Sequence, residues 1–133
     1  MAKQKSIRTT ICVVVGHGRC GKSSLIRCLT GVARASTTPI TLVSQAIINI
    51  SVWVRSAQEA NKFPARVLLE LRAMRGSIGL LSLRLNGYNN KPNANIYLTL
   101  LRQHFNVIRY DITPPTIPPN ERAANVRGQW GWI

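Results

Sequence analysis

A glycine-rich segment, GHGRCGKS at residues 16–23, constrains the fold of this chain more than any other feature. It matches the spacing G-x-x-x-x-G-K-[ST], whose glycines permit a tight turn with backbone N–H groups pointing into one concavity that suits phosphate. The β-branched run before it, residues 7–15, predicts a strand. The apolar spacing after it, residues 22–33, predicts a helix whose N-terminus faces the same concavity. We therefore expect a phosphate-binding loop between the first strand and the first helix.

The rest of the chain alternates between strand and helix patterns. Further strands are predicted at residues 46–55, 77–85 and 106–112, and further helices at residues 63–75 and 93–104. Strands separated by helices of this length need crossover connections, which favour a parallel sheet. The expected fold class is α/β, with a small, mostly parallel sheet of about four strands, crossover helices and the phosphate loop after the first strand.

Two details of this fold concern burial. The third helix is expected to bury Ile96, Tyr97, Leu100 and Leu101. Polar residues alternate with apolar ones in the later strands, at Asn49, Ser51, Arg84, Arg109 and Asp111. Parallel strands that are covered on both faces are usually apolar throughout. Two interpretations stay open: one face or edge of the sheet is polar and open, or the charged side chains lie at strand ends and extend to solvent.

The chain is expected to divide near residue 112. Residues 1–112 are predicted to form the phosphate-loop α/β domain. Residues 113–133 are predicted to form a proline-rich spacer, TPPTIPPN, and a short helix from Asn120 to about Gly128 with an aromatic tail. The two tryptophans of that tail either dock on the domain or a neighbouring subunit, or stack on bases.

Charge is the second strong signal. The chain has 18 Lys and Arg against four Asp and Glu, a formal net charge of +14. This excess favours a polyanionic partner, namely nucleic acid or a nucleoprotein or viral assembly, over a merely solvated surface. No membrane association is expected, because no segment combines a basic face with a sustained apolar one. The cations expected to contact nucleic acid are Lys3, Lys5, Arg8, Arg66, Arg72 and Arg75. Their scatter indicates sequence-independent phosphate contacts.

The location and the cysteines follow from simple patterns. No apolar run approaches the ~20 residues of a membrane span, and the apolar run at residues 11–15 is too short for a signal-peptide core. A cytoplasmic location is therefore expected, within a homo-oligomer, hetero-oligomer or larger assembly. Cys12, Cys20 and Cys28 form no C-x-x-C pair, so neither a metal site nor a disulfide is expected. Cys12 and Cys28 are predicted core residues, and Cys20 is either a loop side chain or a reactive thiol.

The segment GHGRCGKSSLIRCLTG followed by ARASTTP resembles the opening of the P-loop NTPases, and most of all the Era-like and ribosome-assembly GTPases. The resemblance covers roughly residues 8–39. It implies bound Mg²⁺ with ATP or GTP. The residues that it implies at the phosphates are Gly16, Gly18, Gly21, Lys22, Ser23 and Ser24. It further implies that Ser23 ligates the metal, together with a switch threonine at Thr37 or Thr38.

Later motifs of those GTPases do not follow. The sequence contains no D-x-x-G, and the guanine-reading N-K-x-D is present only as NKPN, with Asn93 in place of the aspartate. The acid that would hold the metal is either Glu59 or Asp111, and either carboxylate is equally explained by an ion pair. His17 lies over the phosphates or is a solvent-exposed loop residue. No catalytic residue is assigned, so nucleotide binding is expected more firmly than turnover.

The function predicted from the sequence is that of a small, basic nucleoside-triphosphate-binding protein that acts on or beside nucleic acid. Any NTPase activity would be slow or completed by a partner. The alternative is a non-enzymatic structural component of a nucleoprotein or viral assembly, which binds nucleic acid or a partner subunit. In that case the glycine loop grips a backbone phosphate or is only architectural.

Overall fold

The computed structural model describes residues 8–17, 21–112 and 117–133. In chain order its elements are β1 Thr10–Gly16, α1 Lys22–Thr30, β2 Ser36–Thr41, β3 Ile47–Val52, α2 Pro64–Arg72, β4 Ile78–Arg84, α3 Ala94–Arg102, β5 Asn106–Asp111 and α4 Pro119–Trp130. A strand and a helix flank the glycine-rich segment as expected. Positions 18–20 of that segment, with Gly18 and Cys20, lie outside the described residues.

The strands form one five-stranded sheet in the order β2-β3-β4-β1-β5. Strand β1 pairs in parallel with both β4 and β5, and β3 pairs in parallel with β4. Strand β2 is antiparallel to β3. The α/β class and the mostly parallel sheet are thus confirmed, whereas the expected number of about four strands is wrong by one.

The missed strand is β2. It lies at the edge of the sheet, and of its six residues only Ile40 is buried. Its sequence, STTPIT, therefore lacks the alternation of apolar and polar residues that marks a half-buried strand. Pro39 is tolerated because an edge strand has one side without ladder hydrogen bonds.

Helices cover both faces of the sheet. On one face, Cys12 and Val14 of β1 pack in a cluster with residues of α1 and α4. On the other face, the alternate residues Ile11, Val13 and Val15 pack with α2 and α3. Polar strand residues were expected either on an open face of the sheet or at strand ends. The structure favours the second interpretation for Arg84, which is the last residue of β4 and forms an ion pair there.

Helix α3 buries a different stripe from the expected one. Its buried residues are Ala94, Tyr97, Leu98 and Leu101. Ile96, which was expected in the core, has 52% of its surface exposed. The expectation was wrong because the i, i+3, i+4, i+7 stripe starts at Ala94, directly after the Asn93 side chain caps the helix through the Ile96 N–H.

The described part of the C-terminal segment packs onto the main core. Helix α4 starts at Pro119 and runs to Trp130, beyond the predicted end near Gly128. Residues of α4 share the hydrophobic cluster of α1, and Trp132 is buried in it. The chain after α4 pairs with the chain after β2, since the Val43 N–H donates to the Gly131 carbonyl at 2.8 Å. Residues 113–116 of the predicted spacer lie outside the described residues.

Candidate phosphate-binding cleft

The parallel strands place their carboxyl ends at one edge of the sheet, and the candidate site lies there. Helix α1 follows β1 on one face, while α3 follows the neighbouring strand β4 on the other face. Ligands of open α/β sheets bind in the crevice where successive connections diverge in this way. The end of β1 and the end of β4 are in register, with Gly16 opposite Arg84.

A cleft of about 540 Å³ opens at this position. Its volume lies within the ~300–1,000 Å³ that small-molecule sites have. The cleft is lined by Gly21, Lys22, Ser23, Ser24, Arg55, Ser56, Glu59, Arg84 and Tyr88. The structure thus brings together four of the predicted phosphate residues, Gly21 to Ser24, and Gly16 lies at the end of the adjoining strand.

The first turn of α1 forms one wall of the cleft. Gly21 precedes the helix with φ of 94°, a left-handed conformation that glycine adopts without strain. The turn carries no side-chain cap and no acidic residue. The helix therefore directs backbone N–H groups and the positive end of its dipole toward an anion in the cleft.

Lys22 and Ser23 extend from the same turn. Lys22 is 5% exposed, and its Nζ donates a hydrogen bond to the His17 carbonyl at 2.7 Å, across the glycine-rich segment. The Ser23 hydroxyl donates to the Val54 carbonyl at 3.2 Å, just beyond the end of β3. Both predicted phosphate-binding groups are thus held at the carboxyl edge of the sheet.

The opposite wall carries an arginine that the sequence analysis did not assign to the site. The Arg84 guanidinium lies 3.2 Å from Glu59 Oε1 and 4.5 Å from the centre of the Tyr88 ring. Gln58, 1% exposed, fixes this wall by exchanging two hydrogen bonds with the Arg84 backbone, at 2.8 and 2.9 Å. The available signal was the position of Arg84 at the end of a strand parallel to β1.

The charges in the cleft are mostly positive. Lys22, Arg55 and Arg84 line it, whereas Glu59 is the single carboxylate among its described lining residues. The side chain of Arg55 is exposed and has no hydrogen-bond or ion-pair partner in the described part of the chain. This charge balance suits a phosphate group, because arginine binds phosphate through paired N–H donors.

The same residues fit Mg²⁺ poorly. Mg²⁺ requires oxygen ligands in octahedral geometry, usually with one or two carboxylates beside substrate phosphates. Within residues 8–17, 21–112 and 117–133, no group of three or more His, Cys, Asp or Glu is placed to hold a metal ion. Glu59 is engaged by Arg84, and the Ser23 hydroxyl contacts a backbone carbonyl rather than a carboxylate.

The predicted partner ligands of the metal lie elsewhere. Thr38 is in edge strand β2, opposite Ile50, and both β3 and β4 separate that strand from β1. Asp111, the other candidate acid, lies in β5 and forms an ion pair with Arg109 at 2.9 Å. Neither residue lines the cleft.

Of the six cations predicted to bind nucleic acid, four lie within the described residues. Lys3 and Lys5 lie outside the described residues. Arg8, Arg72 and Arg75 lie near the amino ends of the parallel strands, at the edge opposite the cleft. There Arg8 donates to the Arg102 carbonyl at 3.0 Å, and Arg72 Nη2 lies 2.9 Å from His104 Nδ1.

Arg66, the remaining cation predicted to bind nucleic acid, forms an ion pair within the protein. Its Nε lies 2.9 Å from one oxygen of Glu70, and Lys62 Nζ lies 2.7 Å from the other. Burial acts to raise the pKa of Glu70, but the hydrogen bonds and charges of Lys62 and Arg66 outweigh it, so this pKa lies below its ordinary value. Glu70 is therefore a structural carboxylate that forms ion pairs with two cations.

The remaining titratable candidates, His17 and two cysteines, have contacts that explain their positions. His17 Nδ1 lies 3.1 Å from Asn86 Nδ2, which connects the end of β1 to the loop after β4. Cys12 is buried, and burial raises the pKa of its thiol to about 12, so it is not a nucleophile at neutral pH. Cys28 is partly buried against the same core. Both are free thiols.

Comparisons of the chain with protein-family models, with curated proteins and with solved structures gave no match. Among the described residues, no helix is long and apolar enough to cross a membrane. What the chain binds must therefore be inferred from the chemistry of the cleft and from the distribution of charge.

Proposed function

We propose that the protein binds a nucleoside triphosphate by its phosphates in the cleft, and that it acts on or beside nucleic acid. One observation carries the proposal. A cleft of nucleotide size at the carboxyl edge of the sheet is lined by the N-terminus of α1, by the buried Lys22 and by two arginines. The first turn of α1 carries no acidic residue. Such a convergence of N–H donors and cations suits a chain of phosphates.

Each group has a role that follows from its position. The N–H groups of the first turn of α1 hold one phosphate, and Lys22 neutralises the next by turning from the His17 carbonyl. Arg84 approaches the phosphates from the opposite wall once it leaves Glu59. Because Glu59 is paired with Arg84 and the Ser23 hydroxyl donates to a backbone carbonyl, no role in binding is assigned to Mg²⁺. The proposed binding does not require it, because the cleft itself supplies cations.

The proposed activity is binding, with hydrolysis slow or completed by a partner. Metal-assisted phosphoryl transfer relies on carboxylates that fix the metal and on a residue that orients water. Glu59 is the one carboxylate that lines the cleft among the described residues, and it forms an ion pair.

A titration of fluorescent ATP and GTP analogues, with and without Mg²⁺, tests the nucleotide part. The wild type should saturate in the micromolar range, and Lys22→Ala should lose at least tenfold in affinity, about 1.4 kcal/mol. Lys91→Ala is the matched control, because Lys91 contacts Asn61 and Phe63 outside the cleft. Arg84→Gln serves as a second variant if Lys22→Ala unfolds. No saturable binding to a folded wild type would refute this part.

The alternative, a structural component of a nucleoprotein or viral assembly, rests on the net charge of +14. It predicts salt-dependent binding of arbitrary nucleic acid that is indifferent to Lys22→Ala, with no nucleotide binding. The two functions therefore separate in the same set of titrations. A cytoplasmic location and membership of an oligomer belong to the proposal in either case.

A further inference from the structure

A second concavity of about 370 Å³ adjoins the phosphate cleft. It lies between the exposed side of α1, the residues that lead into β2 and the segment that follows β3. Ser23 and Arg55 line both concavities, so the second one continues the first along the carboxyl edge of the sheet. We call it the arginine groove, after Arg27, Arg34 and Arg55 in its lining.

The three arginines of the groove are available for a ligand. Each side chain is exposed, and none has a hydrogen-bond or ion-pair partner within the ranges that the structure describes. Of the cations predicted from sequence, Arg66 is held by Glu70 and Arg72 contacts His104, whereas Arg75 is exposed at the other edge of the sheet. Lys62, at the end of the groove, is likewise held by Glu70.

We propose that the arginine groove binds the sugar–phosphate backbone of single-stranded nucleic acid. Single strands lie in positively charged grooves that follow the backbone, whereas duplexes are contacted by elements that protrude into their grooves. This surface is concave, and alanines at positions 33, 35 and 60 allow a backbone to approach closely. The guanidinium groups provide the paired donors that phosphates accept.

Trp53 adds an aromatic surface to the groove. Trp53 is a partly exposed residue of the lining, and its indole N–H donates to Glu70 Oε1 at 3.1 Å, which fixes the orientation of the ring. A fixed, partly exposed aromatic ring is the kind of platform on which an unpaired base stacks. The proposal rests on the nucleic-acid part of the proposed function. It further specifies the surface that binds the nucleic acid and that the nucleic acid is single-stranded.

The test compares two double variants that remove equal charge. Arg27→Gln/Arg34→Gln changes the groove without touching the phosphate cleft. Arg75→Gln/Arg102→Gln removes two exposed cations at the opposite edge of the sheet. Arg75 was predicted from sequence to contact nucleic acid, so this variant also tests that competing surface. Binding of a fluorescein-labelled 20-mer of oligo(dT), and of a duplex of equal length, is followed by anisotropy over a range of KCl concentrations.

The groove variant should lose roughly tenfold in affinity for oligo(dT) near 0.1 M salt. Its slope of log K against log salt should become shallower by about 1.4, at about 0.7 per lost phosphate contact. The control variant should keep the slope of the wild type. The wild type should bind the single strand more tightly than the duplex.

Three results would overturn the proposal: an equal or larger loss in the control variant, tighter binding of duplex, or binding of phosphatidylserine vesicles with none of oligo(dT). Nucleotide titration of the same preparations keeps the two proposals apart. The groove variant should bind nucleotide like the wild type. Loss of nucleotide binding in Lys22→Ala, with oligo(dT) binding retained, bears only on the cleft.

Discussion

The ion pair between Glu59 and Arg84 controls how much positive charge the cleft presents. Both side chains are about a quarter to a third exposed, so solvent screens the pair and its free energy is small. A phosphate that binds Arg84 must displace Glu59 or bind beside it. We therefore expect Glu59→Gln to raise the affinity for a nucleotide without Mg²⁺ by about two- to fivefold, the equivalent of up to about 1 kcal/mol. Fluorescence titration measures the change.

Glu121→Gln is the matched control for that prediction, because it removes the same charge from an exposed position on α4. It should leave the affinity close to that of the wild type. An unchanged or lower affinity of Glu59→Gln in the absence of Mg²⁺ would contradict the prediction. It would show that Glu59 does not compete with the phosphate for Arg84.

Two buried serines in adjacent strands differ in whether their hydroxyl groups have a hydrogen-bond partner. The hydroxyl of Ser82 in β4 is fully buried and has no hydrogen-bond partner in the described structure. The hydroxyl of Ser51 in β3 accepts a hydrogen bond from the Gly76 N–H at 2.9 Å. A buried polar group without a partner costs about 1–3 kcal/mol, whereas a paired one contributes about 1 kcal/mol.

We therefore expect opposite effects of the same substitution. Ser82→Ala should raise the free energy of unfolding by about 1 kcal/mol, and Ser51→Ala should lower it by a similar amount, because the Gly76 N–H loses its acceptor. Urea denaturation, followed by circular dichroism, measures both. Destabilisation by Ser82→Ala would mean that its hydroxyl has a partner, such as a buried water between α1 and β4.

At the scale of whole elements, local sequence was informative wherever an element buries a clear apolar stripe. Strands β1 and β4 and helices α1 and α2 were predicted for this reason, since their periodicity is local. Strand β2 was missed because its stability comes from pairing with β3 and not from its own pattern. The stripe of α3 was misplaced because both Ile96 and Leu98 are apolar, and only the packed structure decides between them.

The end of the chain stabilises an element that is distant in sequence. Trp132 is 4% exposed, packs in the cluster of α1 and α4 and pairs with Leu42 beyond β2. Trp130 is only partly buried and contacts Trp132 edge to face, with ring centres 5.2 Å apart. We expect Trp132→Ala to lower the free energy of unfolding by about 3–5 kcal/mol, the usual cost of emptying a large buried site.

Trp130→Ala is the comparison, because it removes the same side chain from a position that is only partly buried. Its cost should be clearly smaller than that of Trp132→Ala. Chemical denaturation of both variants gives the two values directly. Equal costs would indicate that the two rings act as one unit, and a negligible cost for Trp132→Ala would mean that residues 131–133 do not hold the edge strand.

At the scale of the whole molecule, the order of strands determined which parts of the site were predictable. Lys22 and Ser23 were identified from the spacing of one short motif. Arg84 and Arg55 join them because β4 lies beside β1 and β3 lies beside β4, pairings between segments more than twenty residues apart. Single-sequence periodicity does not specify such neighbours. The same order places Thr38 in the edge strand β2, outside the lining of the cleft.

The contiguity of cleft and groove predicts antagonism between their ligands. A nucleotide and a nucleic acid strand are both polyanions, and the two sites share Arg55 and Ser23. Simultaneous binding places like charges at adjoining positions and makes both ligands depend on one guanidinium. We expect saturating ATP, at constant ionic strength, to weaken oligo(dT) binding by about fivefold or more, which is a coupling free energy of about 1 kcal/mol. Because coupling is reciprocal, oligo(dT) should weaken ATP binding by the same factor.

Two variants show whether the antagonism comes from these sites. Lys22→Ala, which is expected to lose nucleotide binding while keeping the groove, should bind oligo(dT) equally well with and without ATP. Arg55→Gln should weaken both ligands and reduce the coupling between them, because the shared guanidinium is gone. If ATP left oligo(dT) binding to the wild type unchanged, the strand would not occupy the groove next to the phosphates. If ATP strengthened oligo(dT) binding, the bound nucleotide would form part of the surface that the oligo(dT) contacts.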